Sequence, residues 1–373
     1  DKAGIVHVFE PDGTEWNTDL FPFSTGDQNW GSPAVSDLDG DGYDELVISS
    51  KNGHIYVFDH SGLKLDYDSE GYVTATPALG DIDGDGLNEI VFGQYGSPKQ
   101  ISALNIDGSP VDGFPYNLDE KVQRGAALCD FNGNDRDDIV VGADDEFIHL
   151  ILDDGTLSWS YETGGDIRVA PTVLELTTGE KIILVGSKDD NFYALNSDGS
   201  LRFMIETEDD ISTEASVVDV EGVGPVIFFS SDGIVYAVET DGEAYGIWPI
   251  NIGSELAASI VFSDLNGDDV SEVVFGDTAG NLYAYNLQGE AYNYFPIVSS
   301  FPFKGSPMIF DLDGDDDFEI IIGTTQTLVN IDVKESGNLN DYWNVFRADK
   351  ERSGHYVSHE TALSNFDNNN ETK

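Results

Sequence analysis

The chain has 373 residues, of which 71 are acidic and 17 are basic, so its formal net charge is −54. This balance disfavours binding to nucleic acid or to anionic lipid, because no broad basic surface is available to meet phosphates. The sequence contains no apolar run of about 18 residues, so no membrane insertion is predicted. Its single cysteine, Cys129, precludes an internal disulfide and is expected to be a buried, inert thiol.

The chain opens with a half unit at residues 1–23. It contains a short apolar strand, Ile5-Val6-His7-Val8-Phe9, an Asp12-Gly13 turn and the segment Phe21-Pro22-Phe23. These elements correspond to the third and fourth strands of the units that follow. Because the first two strands are missing, we expect Asp1 to be a processing or expression boundary.

The first complete unit begins near residue 31 and predicts four strands. Strand A is the apolar run Pro33-Ala34-Val35, strand B is Glu45-Leu46-Val47-Ile48-Ser49, and strand C is His54-Ile55-Tyr56-Val57-Phe58. In later units an Asp-Gly turn follows strand C, and an aromatic strand D carries Phe-Pro or Trp-Pro. Proline suits this outer edge strand, because an edge strand needs no backbone donor on its open side.

Further units start near residues 74, 125, 169, 213, 257 and 305, and equivalent positions are 44 to 49 residues apart. A period of about 40–50 residues built from short strands is typical of a β-propeller. We therefore predict an all-β, seven-bladed β-propeller of four-stranded antiparallel blades over residues 1–356, with a polar tail or linker at 357–373. The half unit would close the ring with the last repeat. An eighth blade, whose first two strands lie upstream of Asp1, is the alternative, because the last repeat has its own strand C.

Five of the units place an acidic loop of the form Asp-x-Asp/Asn-Gly-Asp/Asn between strands A and B. Side-chain oxygens at positions 1, 3, 5 and 9, with a backbone carbonyl at position 7, suit a calcium ion. The sequence thus predicts about five calcium ions, with these ligands: Asp37, Asp39, Asp41, Tyr43 and Glu45; Asp81, Asp83, Asp85, Leu87 and Glu89; Asp130, Asn132, Asn134, Arg136 and Asp138; Asp264, Asn266, Asp268, Val270 and Glu272; Asp311, Asp313, Asp315, Asp317 and Glu319. The units at 169–210 and 213–255 have lost this loop, and no metal is predicted there.

These loops and their spacing resemble the FG-GAP/VCBS repeats of integrin α subunits and of many bacterial secreted proteins. The resemblance covers about residues 1–335 and implies a secreted or cell-surface bacterial protein. The tail from Tyr342-Trp343-Asn344-Val345-Phe346 to Gly354-His355-Tyr356 resembles the end of propellers in bacterial surface proteins with a C-terminal sorting domain.

A candidate ligand site emerges from aligning the units. The position seven residues before the start of the A–B loop, counted in all seven units, is occupied by Trp30, Thr74, Gln123, Arg168, Ser212, Ala257 and Lys304, and Arg124 is adjacent to Gln123. Equivalent positions in a closed ring converge at the channel mouth, on the face opposite the calcium loops. Trp30, Arg124, Arg168 and Lys304 are therefore predicted to bind an anion or a carbohydrate. The alternative is that the basic groups pair with carboxylates such as Asp166, Asp210 and Glu214.

The sequence contains none of the nucleophile or metal-hydrolase motifs sought, namely Gly-x-Ser-x-Gly, His-Glu-x-x-His, the phosphate-binding loop and Cys-x-x-Cys. We therefore expect a non-catalytic calcium-binding module for a protein or glycan ligand, joined to other domains of a larger surface protein. Two alternatives are the accessory or catalytic propeller of a polysaccharide-degrading exoenzyme, and a rigid spacer in a surface complex.

Overall fold

The structure is a computed structural model that describes residues 2–334, 337 and 343–359. Its regular structure is entirely β, and no α-helix occurs within these ranges, so none of the described segments is a helix capable of spanning a membrane.

Thirty strands occur in the described residues, beginning with an N-terminal ribbon of β1 (Ile5–Val6) and β2 (Phe23–Ser24). Blades 1 to 3 comprise β3 (Ala34–Ser36), β4 (Glu45–Ser49), β5 (His54–Asp59) and β6 (Gly62–Asp68); β7 (Ala78–Gly80), β8 (Glu89–Gly93), β9 (Gln100–Leu104) and β10 (Tyr116–Asn117); β11 (Ala127–Cys129), β12 (Asp138–Gly142), β13 (Phe147–Ile151) and β14 (Leu157–Glu162).

Blades 4 and 5 comprise β15 (Thr172–Glu175), β16 (Lys181–Gly186), β17 (Asn191–Asn196) and β18 (Leu201–Glu206); β19 (Ser216–Val220), β20 (Gly224–Ser231), β21 (Ile234–Glu239) and β22 (Ile250–Asn251). Blades 6 and 7 comprise β23 (Val261–Ser263), β24 (Glu272–Gly276), β25 (Asn281–Asn286) and β26 (Ile297–Val298); β27 (Met308–Phe310), β28 (Glu319–Gly323) and β29 (Leu328–Asp332). The last strand is β30 (His355–Val357).

The predicted seven-bladed β-propeller is confirmed. Neighbouring strands in each blade are consecutive in the chain and antiparallel. Strand A lies next to the channel and strand D lies at the outer edge of the blade. Blade 7 has three strands in the described residues, and blade 4 gains β30 as a fifth strand beside its strand A. Strand B lies in the middle of each blade, which explains its uninterrupted apolar sequence, as in the fully buried Ile90-Val91-Phe92 of β8.

Aromatic side chains join one blade to the next. Phe192 of blade 4 stacks on Phe229 of blade 5 with ring centroids 3.9 Å apart. Phe228 of blade 5 meets Phe262 of blade 6 edge to face at 5.1 Å. All four rings are completely buried, so apolar faces of blades 4, 5 and 6 are covered by the neighbouring blade at these contacts.

The N-terminal ribbon differs from the expectation that it pairs with the last repeat. Within the described residues, β1 pairs only with β2, and β29 pairs only with β28. Val6 and Phe21 of the ribbon instead pack against Ile48, Tyr56 and Phe58 of blade 1. The reason is that apolar burial on blade 1 can hold the ribbon without a shared sheet.

The most unexpected feature is that residues 343–359, here called the channel segment, run through the middle of the ring. The segment is hydrogen-bonded to all seven blades. The contacts, from blade 1 to blade 7, are Val35 N to Lys350 O, Leu79 N to Glu351 O, Leu128 N to Ser353 O and Val173 N to Gly354 O; His359 N to the Asp219 carboxylate; and Phe262 N to Trp343 O and Ile309 N to Asn344 O.

The channel segment also moves the boundary that the sequence predicted. Val357 belongs to β30, and Ser358 Oγ donates to Asp219 at 2.8 Å, so the propeller domain extends at least to His359 instead of ending at residue 356. Of the predicted polar tail, residues 360–373 lie outside the described residues, as does Tyr342 of the tail motif.

Arg347 is the most deeply buried charge of the channel segment. Its side chain is 2% exposed. Its guanidinium donates to the carbonyl oxygens of Arg352 at 3.0 Å, of Ser353 at 3.4 Å and of Ala126 in blade 3. Burial lowers the pKa of Arg347 to about 10, because the charged form has lost its water. This residue therefore ties a turn of the channel segment to the ring.

We expect Arg347→Ala to lower the free energy of unfolding by about 3 kcal/mol, because it leaves three buried carbonyl groups without this donor and opens a cavity. Lys350→Ala is the matched control, since Lys350 is exposed and pairs with Asp44 at 2.7 Å, an ion pair worth about 1 kcal/mol or less. Urea denaturation in calcium-containing buffer measures both. Equal losses in the two variants would contradict this role of Arg347.

Candidate functional site

The acidic loops connect strand A to strand B in blades 1, 2, 3, 6 and 7, as predicted. In the first loop the Asp37 carboxylate accepts hydrogen bonds from the backbone N–H groups of Gly40, Asp41 and Gly42 at 2.8, 3.2 and 2.9 Å. Gly40 and Gly42 have φ of 76° and 90°, a conformation that glycine adopts without steric cost. The loop is therefore curled around its first carboxylate.

Three loops gather the carboxylates of their positions 1, 3 and 5 within 4.8 Å of one another: Asp37, Asp39 and Asp41; Asp81, Asp83 and Asp85; Asp311, Asp313 and Asp315. The position 9 carboxylate lies beneath each loop. Glu45, Glu89 and Glu319 are only 0%, 2% and 4% exposed, and Glu45 Oε1 is buried without a hydrogen-bond partner. An all-oxygen donor set with an unpartnered buried carboxylate oxygen fits a hard divalent cation.

Burial changes the pKa of three of the position 9 carboxylates. It raises the pKa of Glu89 to about 7 and that of Asp138 to about 6, and it raises the pKa of Glu45 as well. The cause is the loss of water around the charged form, increased by neighbouring carboxylates. A bound cation would offset this cost.

The loops of blades 3 and 6 have asparagine at position 3, and this changes the partner of the buried carboxylate. Asn132 Nδ2 donates to Asp138 Oδ1 at 3.3 Å, and Asn266 Nδ2 donates to Glu272 Oε1 at 3.2 Å. In blade 3, Arg136 at position 7 pairs with Asp153 at 3.5 Å. These two loops satisfy part of their buried charge internally, so we expect weaker metal binding there than in the three aspartate-rich loops.

The two units without the motif form tight turns. The A–B connection of blade 4 closes with Gly179 N to Leu176 O at 2.7 Å, and that of blade 5 closes with Val223 N to Val220 O at 3.0 Å. Neither turn has a carboxylate at each of positions 1, 3 and 5, and the absence of metal from these two units stays a prediction.

A cavity of about 510 Å³, here called the rim cavity, lies at the other end of the A strands, where the D–A and B–C loops meet. Five of the seven aligned positions line it, together with Arg124. The lining residues are Trp30, Thr74, Gln123, Arg124, Arg168, Lys188, Asp209, Asp210, Ile211, Ser212, Asp232 and Glu255. Lys304 and Ala257 are absent from this lining, so the predicted cluster of Trp30, Arg124, Arg168 and Lys304 comes together without Lys304.

The charges of the rim cavity are partly paired. Arg168 contacts Asp166 at 2.5 Å and Asp144 at 3.4 Å, and Lys188 pairs with Asp210. For Arg168, pairing with carboxylates is the alternative to ligand binding that the sequence analysis left open. Arg124 is exposed and forms no ion pair with any of the described residues, so its guanidinium is available to a ligand.

Trp30 offers the cavity an accessible aromatic ring. The side chain is 50% exposed, its Nε1 donates to Gln28 at 2.8 Å, and Lys51 Nζ lies 5.1 Å from the ring centroid.

Sequence reasoning missed Lys188 and Asp232, which line the rim cavity and come from B–C loops. Aligning the residues just after strand B, in the way that those before strand A were aligned, would have found them.

A histidine, a serine and an aspartate lie together on blade 3, away from the rim cavity. His149 contacts Ser160 Oγ at 2.9 Å and Asp145 Oδ2 at 3.0 Å, but His149 and Ser160 are register partners on adjacent strands of blade 3, and Ser160 does not line the rim cavity. Burial raises the pKa of the Cys129 thiol well above its usual range, which keeps it protonated when no cation is nearby.

Comparisons with known proteins agree with this architecture. The family model of the FG-GAP repeat matches residues 29–58, which include strand A, the acidic loop and strand B of blade 1. No curated protein sequence matches the chain.

Among solved structures, the chain is similar to one in the crystal structure of BBS1N in complex with ARL6DN, soaked with lead: the identity is 13%, the TM-score is 0.56, and 89% of this chain and 97% of that chain are covered. It is also similar to the crystal structure of BamB from Moraxella catarrhalis, with 15% identity, a TM-score of 0.60 and 91% of each chain covered. At these identities the likeness concerns the fold alone.

The raised pKa of Glu89, about 7, gives a pH-dependent prediction. In chelator the unfolded chain loses this proton at a lower pH than the folded chain does. The free energy of unfolding therefore falls as the pH rises from about 5 to 7. Glu89→Gln should therefore raise the free energy of unfolding at pH 8 in chelator by about 1–3 kcal/mol. In excess calcium the same variant should be less stable than the wild type, because it has lost a charged ligand.

Urea denaturation in the two buffers tests this reversal. Glu120, whose side chain is 43% exposed and pairs with Lys99 at 2.7 Å, provides the control Glu120→Gln, which should change little in either buffer. An effect of Glu89→Gln with the same sign in both buffers would show that the loop does not bind calcium through this carboxylate.

Proposed function

Because this chain is a seven-bladed β-propeller with an FG-GAP repeat, we propose that it is a calcium-stabilised, non-catalytic binding module. It takes a protein or glycan ligand at the rim cavity. The observation that carries the proposal is that the acidic loops and the rim cavity lie at opposite ends of the A strands.

Calcium would be held by the carboxylates at positions 1, 3, 5 and 9 of the aspartate-rich loops. Its charge would relieve the repulsion among these groups and the burial of Glu45 and Glu89. A cation at this position fixes the start of strand B relative to the end of strand A, since its ligands come from both strand ends and from the loop between them. The ion thus has a structural role, and the loop needs no open coordination position.

The proposed location follows from the metal. Even weak calcium sites of about 10⁻⁴–10⁻³ M are filled outside cells, where calcium is plentiful, whereas in a cytosol such sites would stand empty. We therefore place the protein at the cell surface or in the extracellular medium. The strong negative charge of the chain favours solubility there.

The rim cavity supplies the contacts that a ligand needs. The exposed face of Trp30 can stack on a sugar ring or receive an apolar side chain, and Arg124 can donate paired hydrogen bonds to a carboxylate or sulfate group. The loops that carry these residues stand on rigid blades, so the ligand meets a preformed surface. The similar BBS1N structure contains a complex with a second protein, which is consistent with a protein ligand.

Calcium should raise the melting temperature strongly and magnesium much less, because magnesium demands a smaller octahedral shell. At a hundredfold excess over Kd, each site that binds only the native state adds about 2.7 kcal/mol. Thermal melting with chelator, calcium and magnesium measures this effect. An unchanged midpoint in calcium would refute the proposed role of the ion.

Counting bound calcium by elemental analysis tests which loops bind. Asp83→Ala should remove one ion and lower stability, because it deletes a carboxylate from an aspartate-rich loop. Thr177→Ala, at the matching position of the tight turn in blade 4, should leave the count unchanged. Identical counts in the two variants would contradict the assignment.

Ligand binding at the rim cavity is tested by a glycan array and by a screen of surface proteins, both in calcium. For any ligand found, we expect Trp30→Ala and Arg124→Ala to weaken binding by about tenfold each, as the loss of 1–2 kcal/mol implies. Lys304→Ala is the matched control, because it occupies an aligned position outside the cavity. Wild-type affinity in both cavity variants would place the ligand on another surface.

A further inference from the structure

Three side chains with different donor atoms meet at the end of the channel nearest the acidic loops. They are Cys129 at the end of β11, Glu175 at the end of β15 and His355 at the start of β30. Their donor atoms all lie within 4.8 Å of one another. Cys129 is buried, whereas the side chains of Glu175 and His355 are 25% and 22% exposed.

The spacing of these donors corresponds to that around a small tetrahedral ion. Cys129 Sγ lies 3.5 Å from His355 Nε2, and the same nitrogen lies 3.2 Å from Glu175 Oε2. With metal–sulfur and metal–nitrogen bonds of about 2.3 and 2.0–2.1 Å, tetrahedral geometry separates the donors by about 3.3–3.6 Å. Sulfur, nitrogen and oxygen can therefore bind one ion after small side-chain adjustments.

The backbone positions these donors independently of any ion. Strand β30 pairs in parallel with β15, with Val173 opposite His355 and Glu175 opposite Val357. In blade 3, Leu128 N donates to Ser353 O at 3.0 Å, just before β30. Blade 3, blade 4 and the channel segment thus each contribute one donor.

We infer that Cys129, Glu175 and His355 form a second class of metal site, which binds zinc or a similar divalent transition ion. Thiolate and imidazole ligands select such ions over calcium, which requires oxygen ligands. Water would complete the shell on the partly exposed side, and binding would displace the thiol proton. The ion would join the channel segment to two blades. None of its three donors belongs to the predicted calcium ligands or to the lining of the rim cavity, although Cys129 directly precedes Asp130 of the blade 3 loop.

Lys181 would compete with the ion for the carboxylate of Glu175. Its Nζ lies 3.3 Å from Glu175 Oε2, so the carboxylate already has a cationic neighbour when the site holds only protein atoms. Lys181 is not a ligand, and its removal tests the surroundings of Glu175 without deleting a donor. We expect Lys181→Gln to bind the ion at least as tightly as the wild type.

Cobalt substitution provides the readout, because a thiolate–cobalt bond gives a near-ultraviolet charge-transfer band that all-oxygen calcium loops cannot give. The full chain is kept in excess calcium and titrated with cobalt, and zinc is then added as a competitor. The wild type should develop the band with one equivalent of cobalt and lose it to zinc. Zinc should also raise the melting temperature.

Three ligand variants and one control complete the experiment. Cys129→Ser should abolish the band, His355→Gln and Glu175→Gln should weaken cobalt binding by about tenfold or more, and Lys181→Gln should retain it. Melting curves in calcium establish that each variant is folded. Absence of the band in the wild type would overturn the proposal. Wild-type affinity in both His355→Gln and Glu175→Gln would overturn it too, since the thiol would then bind cobalt alone.

Discussion

The inner edge of strand A is the constraint on which the rest of this propeller depends. Each blade pairs its strands outward from the channel, so the backbone groups on the channel side of strand A have no partner within the blade. Seven such edges face a common axis. The channel segment accepts hydrogen bonds from the strand A backbone of six blades, and in blade 5 it instead donates to the side chain of Asp219. In blade 4 it continues the sheet as a parallel strand. The centre of the ring is therefore a hydrogen-bonded core.

A second constraint is the concentration of negative charge at one end of the A strands. The loops curl because the first carboxylate accepts several backbone N–H groups, and this places further carboxylates close together above a buried one. Such an arrangement is costly without a cation. The asparagine-containing loops reduce this cost through side-chain amides, which shows two solutions to the same local problem within one chain.

The sequence was sufficient to predict the blades, because the repeat combines an apolar strand period with a loop of fixed spacing. Strand B of blade 1, Glu45–Ser49, was predicted residue for residue. The convergence of Trp30, Arg124 and Arg168 also followed from the alignment of units. Lys304 could not be excluded in advance, because the alignment gives angular position around the ring and does not give the direction of a side chain.

The channel segment could not be predicted for a different reason. It has no repeat partner, and its contacts are mostly backbone hydrogen bonds that leave little trace in side-chain pattern. The burial of Arg347 depends on carbonyl groups of residues distant in sequence, such as Ala126. The sequence likewise indicated only an isolated thiol at Cys129, because His355 is 226 residues away along the chain.

The position of the channel segment within the sequence has a consequence for the order of synthesis. Proteins are made from the N-terminus, and early parts can begin to fold before later parts exist. Here the residues that touch all seven blades are encoded after the last blade. Blades can form as they leave the ribosome, but their inner edges stay open until residues 343–359 have been made. The ring is thus completed by its final described segment, and a chain that stopped just after blade 7 would lack the hydrogen-bond partners that this segment supplies.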